Sequence, residues 1–155
     1  MVMLLFVIPK PGDDCEQSRE GGFMTTANAQ CLCGDVNLHA TLPSKWAAHC
    51  HCSLCRRAHG AAFVTWLGME ATRCSIDDPG HHLRWYPSTP GAERGFCSRC
   101  GTTMFFRSSR WPGELHIALA HFTTPVDRAP QLHVHWQDRV PWADVDPQDG
   151  FARKS

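Results

Sequence analysis

The chain has 155 residues, of which 43% are hydrophobic and 19% charged, a balance that fits one domain with its own core and excludes a disordered chain. Fifteen basic side chains offset fifteen acidic ones, so the formal charge is zero. That gives no electrostatic reason to expect nucleic acid or an anionic membrane as a partner.

The first eight residues, Met1 to Ile8, are apolar. No basic residue precedes them, no clear small-residue cleavage site follows, and they fall far short of the roughly 20 residues of a membrane span. They are expected to be neither a secretory signal nor an anchor. Residues 1–23 show no period of 2 or 3.6 and are expected to form a tail, with Met24 as an alternative start. The domain is expected over 24–146, with a second tail over 147–155.

Eleven prolines and twelve glycines, spread along the chain, suit short strands joined by turns. Val36, Leu38, Ala40 and Leu42 alternate with polar residues, which predicts a half-buried strand ended by Pro43. Trp46 to His49 predicts a second strand, running into a cysteine cluster. Cys55 to Gly60 predicts a helical turn, since Arg56, Arg57 and Ala58 are good helix formers. Ala61 to Leu67, Leu83 to Tyr86, Thr102 to Phe106 and Leu115 to Ala120 complete the expected strands. The expected class is therefore mainly β, with little helix.

Nine cysteines, an odd number set mostly in tight steps, favour metal binding in a reducing compartment over a disulfide framework. A cytoplasmic location is the matching expectation. Cys31-Leu32-Cys33-Gly34 and Cys97-Ser98-Arg99-Cys100-Gly101 share one design, two thiols followed at once by glycine. Together they offer four thiolates, the complement of a closed tetrahedral zinc site.

Cys50-His51-Cys52-Ser53-Leu54-Cys55 differs, with three thiols and no fourth cysteine nearby. Three protein ligands leave one tetrahedral position for water or a substrate atom, and a thiolate-bound zinc suits a soft fourth ligand such as sulfur. On spacing alone two other readings of this site stay open, closure by His49, His51 or His59 and three reduced core cysteines, and an iron–sulfur cluster stays open for either group. Cys15 and Cys74 are expected to be bystanders, and so are His81-His82 and His133-Val134-His135 as regards metal. Arg56, Arg57 and Arg99 flank the thiol clusters and are candidates to offset thiolate charge or grip a carboxylate. Trp136 and Trp142 are expected in the core or on a pocket wall.

HCHCSLCRRAHGAAF (49–63), with CLCGDV (31–36) before it and RGFCSRCGTTMFF (94–106), HVHW (133–136) and PW (141–142) after it, resembles the glutathione-dependent formaldehyde-activating enzymes, a family that includes centromere protein V. The likeness runs from about Cys31 to Trp142. It departs at Ala118 to Phe122, where the family often shows a Gly-small-Leu-Asp segment. The resemblance implies a tent-like fold of stacked antiparallel sheets and two Zn2+ per chain. The structural zinc would be held by Cys31, Cys33, Cys97 and Cys100, the catalytic one by Cys50, Cys52 and Cys55. It further implies a carbon–sulfur lyase that forms or cleaves an adduct between an aldehyde and a small thiol, a glutathione-like one, since the family's own reaction joins glutathione to formaldehyde. The alternative is a non-enzymatic, zinc-braced protein-binding module like centromere protein V.

Overall fold

A computed structural model describes residues 25–145 and 149–155; the tail expected over 1–23 and the start at Met24 lie outside the described residues. The strands are β1 (Thr26–Gln30), β2 (Asn37–Thr41), β3 (Trp46–Cys50), β4 (Val64–Glu70), β5 (Cys74–Asp77), β6 (Leu83–Thr89), β7 (Ala92–Cys97), β8 (Thr103–Ser108), β9 (Glu114–Ala118), β10 (Leu132–Val134) and β11 (Ala152–Lys154). One short α-helix, α1 (Ser53–His59), interrupts them. The fold is mainly β, as expected.

Two sheets form. A three-stranded sheet has the order β1-β2-β5, and an eight-stranded sheet the order β11-β10-β3-β4-β9-β8-β7-β6. Pairing is antiparallel except where β10 runs parallel to β3 and β11 parallel to β10. The alternation legible in β2 does what period 2 requires: Leu38 and Ala40 are buried, while His39 and Thr41 are exposed. Leu38, Ala29 and Val36 from the small-sheet side pack with Leu67, Met69, Phe105, Leu115 and Ile117 of the large sheet in one core. Each large apolar side chain so buried contributes about 1.5–3 kcal/mol.

Residues on the other face of the large sheet make a different surface. Register places Trp46 opposite Gly68, Gly68 opposite His116, His116 opposite Phe106, and Phe106 opposite Arg94. This row, crossing five strands, is aromatic and polar rather than aliphatic. Trp46 lies over Gly68 so closely that a Cβ there would collide with its indole.

The expected strand at Ala61 to Leu67 starts later, at Val64, and runs to Glu70. Leu83 to Tyr86 extends to Thr89. The expected strand at Leu115 to Ala120 stops at Ala118, where a single 3-10 turn takes over. Of the C-terminal stretch set apart in the sequence, residues 149–155 lie beside β10 through β11. Trp142 corrects its expectation: it is 71% exposed. Trp136 packs edge-on against the His51 and His133 rings.

Candidate functional site

The two cysteine-glycine knuckles are built alike. In the first, Cys31 N–H donates to Val36 O at 2.9 Å and Gly34 N–H to Cys31 O at 3.0 Å. In the second, Cys97 N–H donates to Thr102 O at 2.9 Å and Gly101 N–H to Cys97 O at 2.8 Å. Gly34 and Gly101 have φ of 79° and 78°, left-handed values that glycine adopts without a Cβ penalty. The turn also aims backbone donors at sulfur, as Val36 N–H does at Cys31 Sγ, 3.3 Å away.

Folding brings the two knuckles together. Cys33 Sγ lies 3.5 Å from Cys31 Sγ and 3.8 Å from Cys97 Sγ. All four sulfurs, Cys100 included, lie within 4.8 Å of one another. Zinc–sulfur bonds of about 2.3 Å at tetrahedral angles put sulfurs about 3.8 Å apart, so this donor set fits a closed zinc site. Burial opposes ionisation of Cys100, yet hydrogen bonds from Thr102 and Cys33 bring its thiol down to about 5.

The middle cysteines sit where β3 ends and α1 begins. Cys52 is the N-cap of α1, its sulfur accepting Cys55 N–H at 3.3 Å. Cys50 and Cys55 sulfurs are 3.6 Å apart, and the three sulfurs lie within 4.8 Å of one another. Hydrogen bonds from Cys50 and Cys55 hold the Cys52 thiol down to about 2. Cys50 is pushed up by its contacts with Cys52 and Cys55 and then by burial. The trio thus has one favoured thiolate that two further thiols solvate, and it fits a soft metal ion with three sulfur donors.

Among the described residues no fourth Cys, His, Asp or Glu joins this trio. The three histidines that could have closed it have other contacts. His49 Nδ1 meets Thr65 Oγ1 at 2.8 Å. His59 stands edge-on to Trp66, with Nε2 unpartnered. His51, 1% exposed, pairs its Nε2 with His133 Nδ1 at 2.7 Å, and His133 Nε2 meets Asp149 Oδ2 at 2.7 Å. With Asp149 held in its ionised form by the Phe151 backbone N–H, the carboxylate accepts a hydrogen bond from His133 Nε2–H. His133 Nδ1 then accepts from His51 Nε2–H. Burial and the neighbouring His133 push His51 down to about 4, so it stays neutral near pH 7. His133 and His135 do not share a strand face, because His135 turns left-handed at φ 55° and leaves β10 exposed.

The trio opens onto a cleft of about 820 Å³. Trp46, Trp66, Phe106 and Trp111 line it, together with Arg94 and His116 of the outer row. Glu114 organises its far end. Its carboxylate accepts from Trp46 Nε1–H at 3.2 Å and His116 Nε2–H at 3.1 Å, and pairs with Lys45 at 2.8 Å. His116 thereby keeps Nδ1 free of Glu114, and burial lowers its affinity for a second proton.

The arginines that flank the clusters in sequence do not touch sulfur. Arg56 Nε donates to His51 O at 3.0 Å, Arg57 is exposed, and Arg99 pairs with Asp35. Arg94 is the guanidinium that does, with Nη2 donating to Cys55 Sγ at 3.6 Å. Only pairing across the sheet brings it there.

The fold is a β-rich scaffold with one sulfur quartet and one sulfur trio beside a cleft, two groups of cysteines that could each hold a metal ion. A family model described as glutathione-dependent formaldehyde-activating enzyme matches residues 26–138, and the chain belongs to that family. A Halomonas elongata protein, provisionally named a glutathione-dependent formaldehyde-activating enzyme, is 25% identical over 77% of this chain and 80% of its own length. An uncharacterized lyase of Schizosaccharomyces pombe is 30% identical over 54% of this chain and 58% of its own. In fold, the chain is similar to a Rhodobacter sphaeroides protein of known crystal structure, with a TM-score of 0.55, 20% identity, and coverage of 83% of this chain and 99% of that one.

Proposed function

We propose that the chain is a carbon–sulfur lyase of the formaldehyde-activating type, forming or cleaving an adduct between an aldehyde and a small, glutathione-like thiol. One observation carries this reading: the sulfur trio has no fourth side-chain donor among the described residues and lies on the wall of the cleft. A module that used both metals only as braces would have no use for a cavity at that point.

Cys50, Cys52 and Cys55 would hold the catalytic zinc, and Cys31, Cys33, Cys97 and Cys100 the structural one. Bound at the trio, zinc would supply the Lewis acidity that keeps a substrate sulfur as thiolate at neutral pH. In the synthetic direction the substrate thiolate's lone pair forms the C–S bond, the carbonyl π pair moves onto oxygen, and that oxygen takes a proton from solvent. Cleavage is the reverse. The chain's own residues orient these groups. Trp46, Trp66 and Phe106 exclude water from one wall, and the Asp149–His133–His51 chain steadies the backbone between Cys50 and Cys52.

A cytoplasmic location belongs to the same reading. None of the eight described cysteines is in a disulfide, which suits a reducing compartment. No helix among the described residues is long and apolar enough to cross a membrane.

The test is metal analysis followed by cobalt substitution. Two metal ions per chain are expected, with glutathione or a simpler thiol shifting the visible bands of one site alone, and glutathione plus formaldehyde giving adduct. A trio whose bands no thiol moves refutes the proposal.

A further inference from the structure

Arg94 is 7% exposed, and it lines the cleft. Its Nη2 is engaged by Cys55 Sγ, and its Cζ stands 5.1 Å from the centre of the Phe106 ring. Its Nη1 is buried without a hydrogen-bond partner. A guanidinium keeps its charge at any ordinary pH, and a buried donor left unpaired costs free energy that a ligand recovers. Behind the far end of the cleft, Glu114 pairs with Lys45 and accepts from His116, which lines the cleft. Arg110 and Lys154 line the cleft as well, but Arg94 is the buried guanidinium among these lining cations, it keeps an unpartnered N–H, and it sits directly beside the trio.

We propose that Arg94 Nη1 binds a carboxylate of the substrate, so that the preferred substrate is a thiol acid with its carboxylate a few bonds from its sulfur. This rests on the reading of the trio as the place where the substrate sulfur binds. Because one guanidinium touches both Cys55 and the anion, sulfur and carboxylate must lie close together. A short mercaptocarboxylate meets that condition with less reach than the glycyl carboxylate of glutathione, which an amide separates from its cysteine.

The test compares 3-mercaptopropionate with 3-mercaptopropionamide, which differ only in carboxylate against amide. Both are titrated into the cobalt-loaded protein, with the trio's visible bands giving dissociation constants. The wild type should favour the acid about ten- to a hundredfold, the range of one hydrogen bond to a charged group. Arg94→Gln should bring that preference, the ratio of the two dissociation constants, close to unity. Arg94→Lys, which keeps charge but loses the fork, should fall between them and serves if the glutamine variant fails to fold. Equal binding of acid and amide by the wild type, or an undiminished preference in Arg94→Gln, overturns the proposal. If neither thiol moves the bands, the open-site reading itself is at fault, an outcome distinct from equal binding.

Discussion

Serine substitutions in the two sulfur clusters should have very different costs. Cys33 and Cys97 lie 64 positions apart and join the β1–β2 hairpin to the β7–β8 hairpin. Cys50 and Cys55 are 5 positions apart, within one corner. An unfolded chain that bound metal through these ligands would have to close the corresponding loop, at about (3/2)RT ln n. That is ~3.7 kcal/mol for the long loop and ~1.4 kcal/mol for the short one. Metal at the trio can therefore follow the chain into the unfolded state more readily, and it discriminates between the states by about 2 kcal/mol less. Cys97 is also fully buried, whereas Cys52 caps a helix from a position where serine is itself a good N-cap. A structural zinc supplies on the order of 10 kcal/mol, comparable to the whole stability of a domain. Cys97→Ser should accordingly lose its cooperative urea transition at 25 °C, followed by far-ultraviolet circular dichroism in saturating zinc. Cys52→Ser should keep that transition, lowered by no more than about 3 kcal/mol, yet lose adduct formation. Equal losses from the two variants would refute the division into a bracing quartet and a working trio.

Gly68→Ala would drive a methyl group into the Trp46 indole, displacing it from Glu114; overpacking and the lost bond should together cost about 3–5 kcal/mol, read as a lowered Tm with altered tryptophan emission. Asp149→Ala would leave the buried His133 Nε2–H without its acceptor, costing about 1–3 kcal/mol in urea denaturation and loosening β11. Acid should also destabilise the fold. Burial lowers His51 and His59 from 6.5 to about 4, so the unfolded chain binds these protons first and stability falls between pH 6.5 and 4. Each imidazole contributes on the order of 2 kcal/mol after allowance for solvent screening. His59→Gln should flatten that fall, and identical slopes for variant and wild type would contradict it.

Both cysteine-glycine knuckles were legible because the information is local: two thiols one or two residues apart, then a glycine whose left-handed φ completes the turn. The strand at Leu38 and Ala40 was legible for the same reason, since one face is buried and the other wet. β1, β5, β7, β10 and β11 were not read from the residues. They carry polar or charged side chains, and take their stability from neighbours along the sheet. The arginines illustrate the limit. Arg56, Arg57 and Arg99 stand beside cysteines in sequence, but Arg56 and Arg57 lie on α1 and Arg99 in a turn, where neighbouring side chains diverge. Arg94 lies 39 positions from Cys55 and reaches its sulfur because β7, β8, β9 and β4 align a row across the sheet. Each knuckle and the trio was therefore written in spacing, a property of a few adjacent bonds, whereas the meeting of the two knuckles was decided by folding. What faces those thiols across the cleft was decided by strand register, which depends on the packing of the whole sheet.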